Sequence, residues 1–281
     1  MTSQNSEFTL EELLTVNLSK ELKDEESGFV GIGTSGPAFI LAVGIPIAAV
    51  RLAMYSHAPN FVLMHGPNID PNLDYIPRAM TGIDLVKWKT KSKITMEDSI
   101  DIVKSGRLDV AFDSAGQVDK HGNLNIVCIG DYYKPKVRLV GYLAQTEHGV
   151  YAKRTIIMMM HEKRRFVEKV DVISCVGHFN GESSRSEIGL PGGGPSKVFT
   201  DLAVLSFDTP NKVMKLESVH PGVSVKQVQD NTGFDLVIPY EVPQTPIPTE
   251  EELNLIREKV DPEGLLLQGR MGGFPPATIR N

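Results

Sequence analysis

Short apolar runs separated by polar turns recur along this chain, and they are densest between Leu108 and Phe166. Leu108–Phe112 leads into a polar turn at Gly116–Asn123, and a second apolar run, Leu124–Gly130, follows. After Asp131–Pro135 come Lys136–Gly141, an irregular loop from Tyr142 to Arg154, and the wholly apolar Thr155–Met160. Runs bounded by Gly, Pro, Asn and Asp predict sheet strands, three or four in this block, and their lack of alternation predicts burial on both faces. Polar turns between buried strands are where a sheet displays chemistry, so the candidate function belongs to these turns.

Upstream, Thr9–Glu12 is a capping box, and Leu10, Leu13, Leu14, Leu18 and Leu22 then fall at helical spacing. This predicts a first helix ending near Lys23–Gly28. Phe29–Gly33 predicts a strand running into a Gly/Pro-broken segment at 34–37, then a helix to about Tyr55 and a turn at Ala58–Asn60. A short strand, Phe61–Met64, enters His65–Asn68. Thr95 with Asp98 predicts a helix start and Gly106 its end, with Ile100 and Val103 facing inward.

Downstream, Asp171–Gly177 predicts another strand, followed by a long loop, His178–Ser196. Lys197–Phe207 and Val213–Val219 predict a β-hairpin around Asp208–Lys212. Val225–Asp230 reads as a short helix, Thr249–Glu252 caps a last one ending before Asp261, and 269–281 reads as a loose tail. The chain has no internal repeat, low-complexity segment or clean linker, which predicts a single domain. Strands alternating with helices predict α/β layers around a large, mostly parallel sheet.

Composition narrows the function classes. With 41% hydrophobic and 23% charged residues over 281 positions, the chain is an ordinary globular one with material for a sizeable core. A net charge of −6 gives no basic footprint, so nucleic acid is not an expected partner. Cys128 and Cys175 both lie in apolar runs and read as buried free thiols of a cytoplasmic protein. The most membrane-like stretch, Gly36–Val50, is shorter than the roughly 20 residues of a spanning helix and is interrupted by Pro46. It predicts a buried or interface-forming helix. The polar, acidic start of the chain lacks a signal pattern, and no membrane association is expected.

Four stretches carry candidate chemistry. Gly189–Pro195 could cradle an anion on its backbone N–H groups, but it lacks the Lys-Ser/Thr of a P-loop and the spacing of a dinucleotide fingerprint, so a structural turn is favoured. His161-Glu162 opens like a zinc-protease motif, yet position 165 is Arg where the second His would stand. The other histidines are scattered, no metal is expected, and the charged run reads as a solvated helix start or an ion-pair cluster. Met64-His65-Gly66 sits at the mouth of a strand, where His65 could act as a general base, against the plainer alternative of a structural histidine. Gln145–Gly149 holds two more titratable groups, Glu147 and His148, in what otherwise reads as a surface turn. From chemistry alone the chain is an α/β protein and an enzyme candidate.

Taken together, these stretches resemble the β-type subunit of class I CoA-transferases, closest to glutaconate CoA-transferase. The matching residues are Gly116–Asp119 with Gly122–Asn125, Ile129–Tyr132, Thr155–Met158, His161–Phe166, Gly189–Gly192, Asn231–Leu236, and Leu255–Arg257 leading into Asp261-Pro262. They cover most of the chain in the family's order. The resemblance implies a CoA-transferase fold, layered α/β/α around its sheet, an obligate α subunit, and coenzyme A entering as part of an acyl-CoA substrate.

In such transferases a β-subunit glutamate attacks the thioester, forms a mixed anhydride and then carries CoA as a glutamyl thioester. That glutamate follows a short strand in a Glu-Ser-Gly or Glu-Asn-Gly motif, and here the motif aligns with Met64-His65-Gly66. A thioether can neither attack the carbonyl nor carry CoA. The family's Gly-x-Gly-Gly loop, whose backbone donors contribute to an oxyanion hole, reads Gly141-Tyr142-Leu143-Ala144 here. Gln117 and Asn125 fall where the family sets polar groups around the thioester, beside Gly116. The resemblance therefore leaves three readings. The first is non-transferase chemistry on an acyl-CoA, either decarboxylation or hydrolytic C–C cleavage and ring opening, with His65, Glu147 or a partner carboxylate as acid/base. The second is transfer with a nucleophile from elsewhere, and the third a non-catalytic subunit. The first is preferred, because a lost nucleophile is hard to replace.

Overall fold

The computed structural model describes residues 7–32, 37–80 and 82–269. The expected broken segment at 34–37 therefore lies largely outside the described residues, and the expected tail from 269 onward lies outside them beyond its first residue. The fold is mixed α/β around a nine-stranded sheet. Two compact units divide the chain. One gathers the segment up to Glu26, Val30–Ile94 and the chain from Pro246 on, and the other holds Ser27–Phe29 and Thr95–Thr245.

In the first unit, α1 (Leu10–Ser19) begins at the predicted capping box, with Thr9 accepting from the Glu12 N–H and Glu12 accepting in return from the Thr9 N–H. It stops at Ser19, earlier than its leucine spacing implies; Leu22 is buried from the following turns. β1 (Ser27–Val30) comes next and divides between the units. A short helix α2 (Pro37–Phe39), a π turn (Ile40–Gly44) and α3 (Ile45–Ser56) then run on without a break. Every residue from Ile45 to Ala53 is buried; all are apolar but Arg51, whose guanidinium donates to the Val260 carbonyl and to Asp74. Burying each large apolar side chain contributes roughly 1.5–3 kcal/mol. β2 (Val62–His65) follows as expected.

The sequence pattern did not reveal β3 (Asn68–Pro71), α4 (Gly82–Lys87) or β4 (Thr90–Lys93), whose strands pair antiparallel in the order β2-β3-β4. Polar, lysine-bearing β4 is an edge strand, and edges are kept hydrophilic against stray pairing.

The second unit opens with α5 (Met96–Lys104), capped by Thr95 and Asp98 with Val103 buried, as predicted. β5 (Val110–Asp113) is buried throughout. The apolar run after it does not form one strand. It makes β7 (Leu124–Asn125), paired antiparallel with β6 (Gln117–Val118), and β8 (Cys128–Gly130), paired antiparallel with β9 (Pro135–Arg138). The break lies where the Asn125 side chain accepts from the Val127 N–H. The expected irregular loop after Tyr142 contains a helix, α6 (Gln145–Tyr151), before β10 (Arg154–Met158). Its entry residue Ala144 is in the left-handed region at φ +63, a turn that sequence pattern does not announce.

Asp171–Gly177 is irregular, held by a single bridge from Cys175 to Leu124, and corrects the expected strand. α7 (Ser184–Glu187) interrupts the long loop. The expected long arm of the hairpin is split into β11 (Pro195–Phe199) and β12 (Ala203–Ser206), because Thr200 Oγ1 accepts from the Leu202 and Ala203 N–H groups and reverses the chain. β13 (Lys215–Val219) completes the order β13-β12-β11-β10-β5. The predicted parallel pairing runs through β5, β10 and β11, with antiparallel strands beyond. Ile157, Val198, Leu205 and Leu216 from these strands pack with Phe166 in one apolar core. α8 (Val225–Asp230) matches its predicted span, and α9 (Glu250–Leu255), with its Thr249 cap, returns to the first unit. No described helix is long and apolar enough to cross a membrane.

Candidate active site

In the second unit β5 ends at Asp113, and the chain passes through Gly116 into the β6–β7 hairpin, where Gln117 stands opposite Asn125. The Gly116 N–H donates to the Asn125 carbonyl over 2.9 Å. The Asn125 amide donates to Gln117 Oε1 and to the Cys128 carbonyl, both at 2.7 Å, and its oxygen accepts from Val127 at 3.0 Å. Gln117 donates to Asp171 Oδ2 at 3.0 Å and accepts from the Asp171 N–H at 3.1 Å. Asn125 thus spends its hydrogen bonds within the chain, and Gln117 keeps one N–H. The turn between them is built on Asp119, which accepts from His121 and Asn123; burial nevertheless raises its carboxyl above the ordinary value.

The loop Gly141–Ala144 follows β9. Gly141 (φ +84) and Ala144 (φ +63) are both left-handed, while Tyr142 and Leu143 are exposed. The Gly141 N–H is tied to the Ile126 carbonyl at 2.9 Å. Among the described residues, the Tyr142 and Leu143 N–H groups have no acceptor. Free backbone donors of this kind can receive a developing oxyanion. Glu147 is half-buried on α6, and its side chain makes no hydrogen bond or ion pair among the described residues. The neighbouring His148 is buried, its Nδ1 3.1 Å from Asp113 Oδ1. Sequence reasoning missed that pair, which joins residues 35 positions apart.

Met64, His65 and Gly66 lie in the first unit. Gly66 (φ +55) followed by Pro67 makes the two-residue turn from β2 to β3, and positive φ at the first position is what a type II′ hairpin demands. Met64 is 3% exposed and pairs with Ile69. His65 is fully buried, not displayed at a strand mouth. Its Nδ1 contacts the Val30 carbonyl at 2.9 Å and its ring meets Trp88 edge-on at 5.8 Å. Burial lowers its pKa to about 4, partly countered by the bond to Val30. An open cavity of ≈ 540 Å³ in this unit is lined by Arg51, Tyr55, Asp70, Asp74, Lys89 and Lys91. None of the site residues expected from the sequence lines it, though Asp70 and Asp74 are the nearest acidic groups after the Met64-His65-Gly66 turn.

Two other motifs prove structural. Gly192 and Gly193 donate to the Val150 carbonyl and to the Ala152 and Lys153 carbonyls, so the glycine loop packs against the end of α6. A Cβ on Gly193 would lie 2.2 Å from the Lys153 oxygen. His161 stacks on Phe166 at 4.1 Å and is held between Thr200 and Thr232, while Glu162 pairs with Arg164 and Arg165. Burial lowers the His161 pKa to about 4. Among the described residues no group of three or more His, Cys, Asp or Glu could hold a metal.

A family model described as Coenzyme A transferase matches residues 74–231, more than half of the chain. The chain belongs to the coenzyme A transferase family. Its similarity to family members extends beyond the matched core. It is 34% identical to the B subunit of 3-oxoadipate CoA-transferase from Pseudomonas knackmussii over 270 residues, covering 95% of this chain and 99% of that one. With the B subunit of glutaconate CoA-transferase from Acidaminococcus fermentans it shares 32% over 268 residues, or 93% and 96% of the two chains. The crystal structure of that transferase superposes with a TM-score of 0.80 at 30% identity, covering 94% of this chain and 98% of that one. The cholesterol ring-cleaving hydrolase IpdB subunit of Rhodococcus jostii is 28% identical over 221 residues, covering 79% of this chain and 83% of its own. The family assignment makes this chain a subunit of an enzyme of the CoA-transferase superfamily, with the mixed α/β fold its sequence predicts.

Proposed function

We propose that this chain is the β-type subunit of a heteromeric, cytoplasmic enzyme that acts on an acyl-CoA thioester without enzyme-bound CoA, by C–C hydrolysis and ring opening or by decarboxylation. The observation that carries the proposal is Met64. It occupies the buried end of β2, where the family resemblance sets the nucleophilic glutamate, and neither His65 nor Gly66 beside it is a carboxylate. Transfer through a covalent intermediate needs a group that attacks the thioester carbonyl, expels CoA as thiolate, and is attacked by it in turn. A thioether cannot hold CoA in that cycle.

On this chain the roles divide as follows. The unpaired N–H groups of Tyr142 and Leu143 receive the thioester or enolate oxygen. Glu147, half-buried and unpaired on α6 three residues beyond Ala144, is the acid/base that the geometry favours. His65 is the weaker candidate, since a ring with a pKa of about 4 and no exposure is a poor base near neutrality. Gln117, with one N–H left over, lies beside the acyl group, and Asn125 holds it there. The name of the R. jostii relative, a ring-cleaving hydrolase subunit, supports such chemistry on this frame.

A second reading, genuine transfer with a nucleophile from the α subunit, draws support from the 34% and 32% identities to the two transferase chains. Intact mass separates the two. The chain, co-purified with its α-type partner, is incubated with a panel of acyl-CoAs and then with borohydride, which reduces a glutamyl-CoA thioester to an alcohol. Acyl-CoA consumption without an acceptor acid and without a mass change on either subunit is the expected result. A reduced adduct on either subunit would replace the proposal with transfer.

A further inference from the structure

The β8–β9 ribbon lies outside the nine-stranded sheet and forms a two-stranded sheet of its own. Lys136, Val137 and Arg138 are all exposed, and because successive side chains of a strand point to opposite faces, β9 meets solvent on both. Among the described residues, six exposed large apolar side chains fall within the twelve positions from 132 to 143: Tyr132, Tyr133, Val137, Val140, Tyr142 and Leu143. Tyr133 is 91% and Val140 70% exposed. Single exposed apolar residues are ordinary, but a run of this density marks a contact surface.

The ribbon is held in place at both ends. At its base the Leu139 N–H donates to the Val127 carbonyl and the Gly141 N–H to the Ile126 carbonyl, both over 2.9 Å. At its tip Asp131 Oδ1 accepts from the Tyr133 and Lys134 N–H groups, both at 2.9 Å. The Tyr132 ring lies edge-on to that of Tyr133 at 5.3 Å, with the Arg138 guanidinium 5.9 Å from its centroid. A tip ordered in this way loses little entropy on docking.

Charge narrows what meets it. Lys134, Lys136 and Arg138 stand at alternate positions, and none of them is in an ion pair among the described residues. They form a cationic patch on a chain whose net charge is −6. Two-fold pairing of identical copies, the commonest self-association, would place the same three cations on both sides of the contact. A dissimilar partner with an acidic rim avoids that repulsion.

We propose that this ribbon docks the α-type subunit, with Tyr133 as its anchor in an apolar pocket rimmed by acidic side chains. The surface rests on the reading of this chain as one subunit of a heteromer. The loop Gly141–Ala144 follows β9 closely, and the Tyr142 and Leu143 side chains belong to the same exposed run. The docked partner therefore also covers the N–H groups proposed to receive the oxyanion, and excluding water there strengthens them.

The complex with its α-type partner tests the surface by contact rather than by activity. A photoreactive benzoylphenylalanine in place of Tyr133 is expected to crosslink to the α-type subunit on irradiation. A crosslink to a second copy of this chain, or none at all, overturns the surface. Tyr133→Ser is expected to weaken association by about thirtyfold, the loss of an anchoring side chain, as read by sedimentation on dilution. Lys136→Glu is expected to weaken it by about tenfold at low salt, with the difference shrinking as salt is added. Association within about twofold of wild type in both variants overturns the surface while the heteromer stands. If the unaltered chain forms no complex with the α-type subunit, the heteromer and the surface fall together.

Discussion

Asn125 faces Gln117 across the β6–β7 hairpin, and its amide donates to Gln117 Oε1 over 2.7 Å while also bonding the Cys128 carbonyl and the Val127 N–H. Both residues are buried, and one side chain thus fixes the partner amide and the turn that ends β7. Asn125→Ala takes a bond from Gln117 Oε1, which keeps the Asp171 N–H, and from the buried Cys128 carbonyl and Val127 N–H, and a loss of about 2–4 kcal/mol is expected. Asn125→Asp is expected to lose at least as much, because it exchanges the two donors for a charged acceptor facing two oxygens. Urea denaturation with the two variants checks this ranking, and a loss below about 0.5 kcal/mol for Asn125→Ala would sink it.

His65 makes stability depend on pH in a defined direction. Its folded pKa of about 4 lies below the ordinary 6.5, so the unfolded chain binds a proton that the folded one refuses. Stability is therefore full above about pH 6.5 and falls as pH drops toward 4. The loss attributable to His65 is about 2 kcal/mol at pH 5. His161 and His178, also lowered to about 4 by burial, act in the same direction. Denaturation midpoints between pH 5 and 8 for the wild type and His65→Gln test this assignment. The variant is expected to be less stable throughout but to show a shallower acid limb. Parallel acid limbs would remove His65 from the account.

The elements legible in the sequence were those whose signal is local. α1, α5 and α9 announce themselves through Thr caps followed by a carboxylate three residues on, and β10 through an unbroken apolar run. What escaped depends on distant or polar partners. β4 is a strand only because β3 pairs with it, and its exposed lysines read as loop. The break after Asn125 is made by a side-chain bond, which hydrophobicity does not encode. The resemblance pointed to Gly116, Gln117 and Asn125, which the structure does bring together. The Asp113–His148 pair was hidden because its aspartate ends a strand and its histidine sits in a helix that the pattern left as loop.

The glycine loop offers a test of packing against anion binding. A Cβ on Gly193 would meet the Lys153 oxygen at 2.2 Å, and one on Gly192 the Ala152 oxygen at 2.5 Å. Gly189 has open space around it and is limited only by its φ of +76. Gly193→Ala is expected to destabilise by on the order of 3 kcal/mol, whereas Gly189→Ala costs about 1 kcal/mol. Thermal unfolding of both variants reads the difference. Equal, small effects would make the loop a ligand-binding candidate again.

Met64→Glu places a carboxylate where the family resemblance sets the nucleophile. Met64 is buried, so the new carboxyl is held above the ordinary glutamate pKa and becomes anionic only as pH rises. If the missing nucleophile is what separates this chain from transfer, the variant with its α-type partner gains a borohydride-reducible adduct on this subunit. It also gains turnover that needs an acceptor acid and strengthens with pH. The native turnover is expected to fall at the same time, because an anion beside the thioester opposes a developing oxyanion. Trapping the adduct by mass and mapping it to position 64 checks the first point, and acceptor dependence checks the second. A folded Met64→Glu complex that consumes acyl-CoA as the wild type does, with no adduct, would show that position 64 does not reach the thioester. The case for non-transferase chemistry drawn from this residue would then fail.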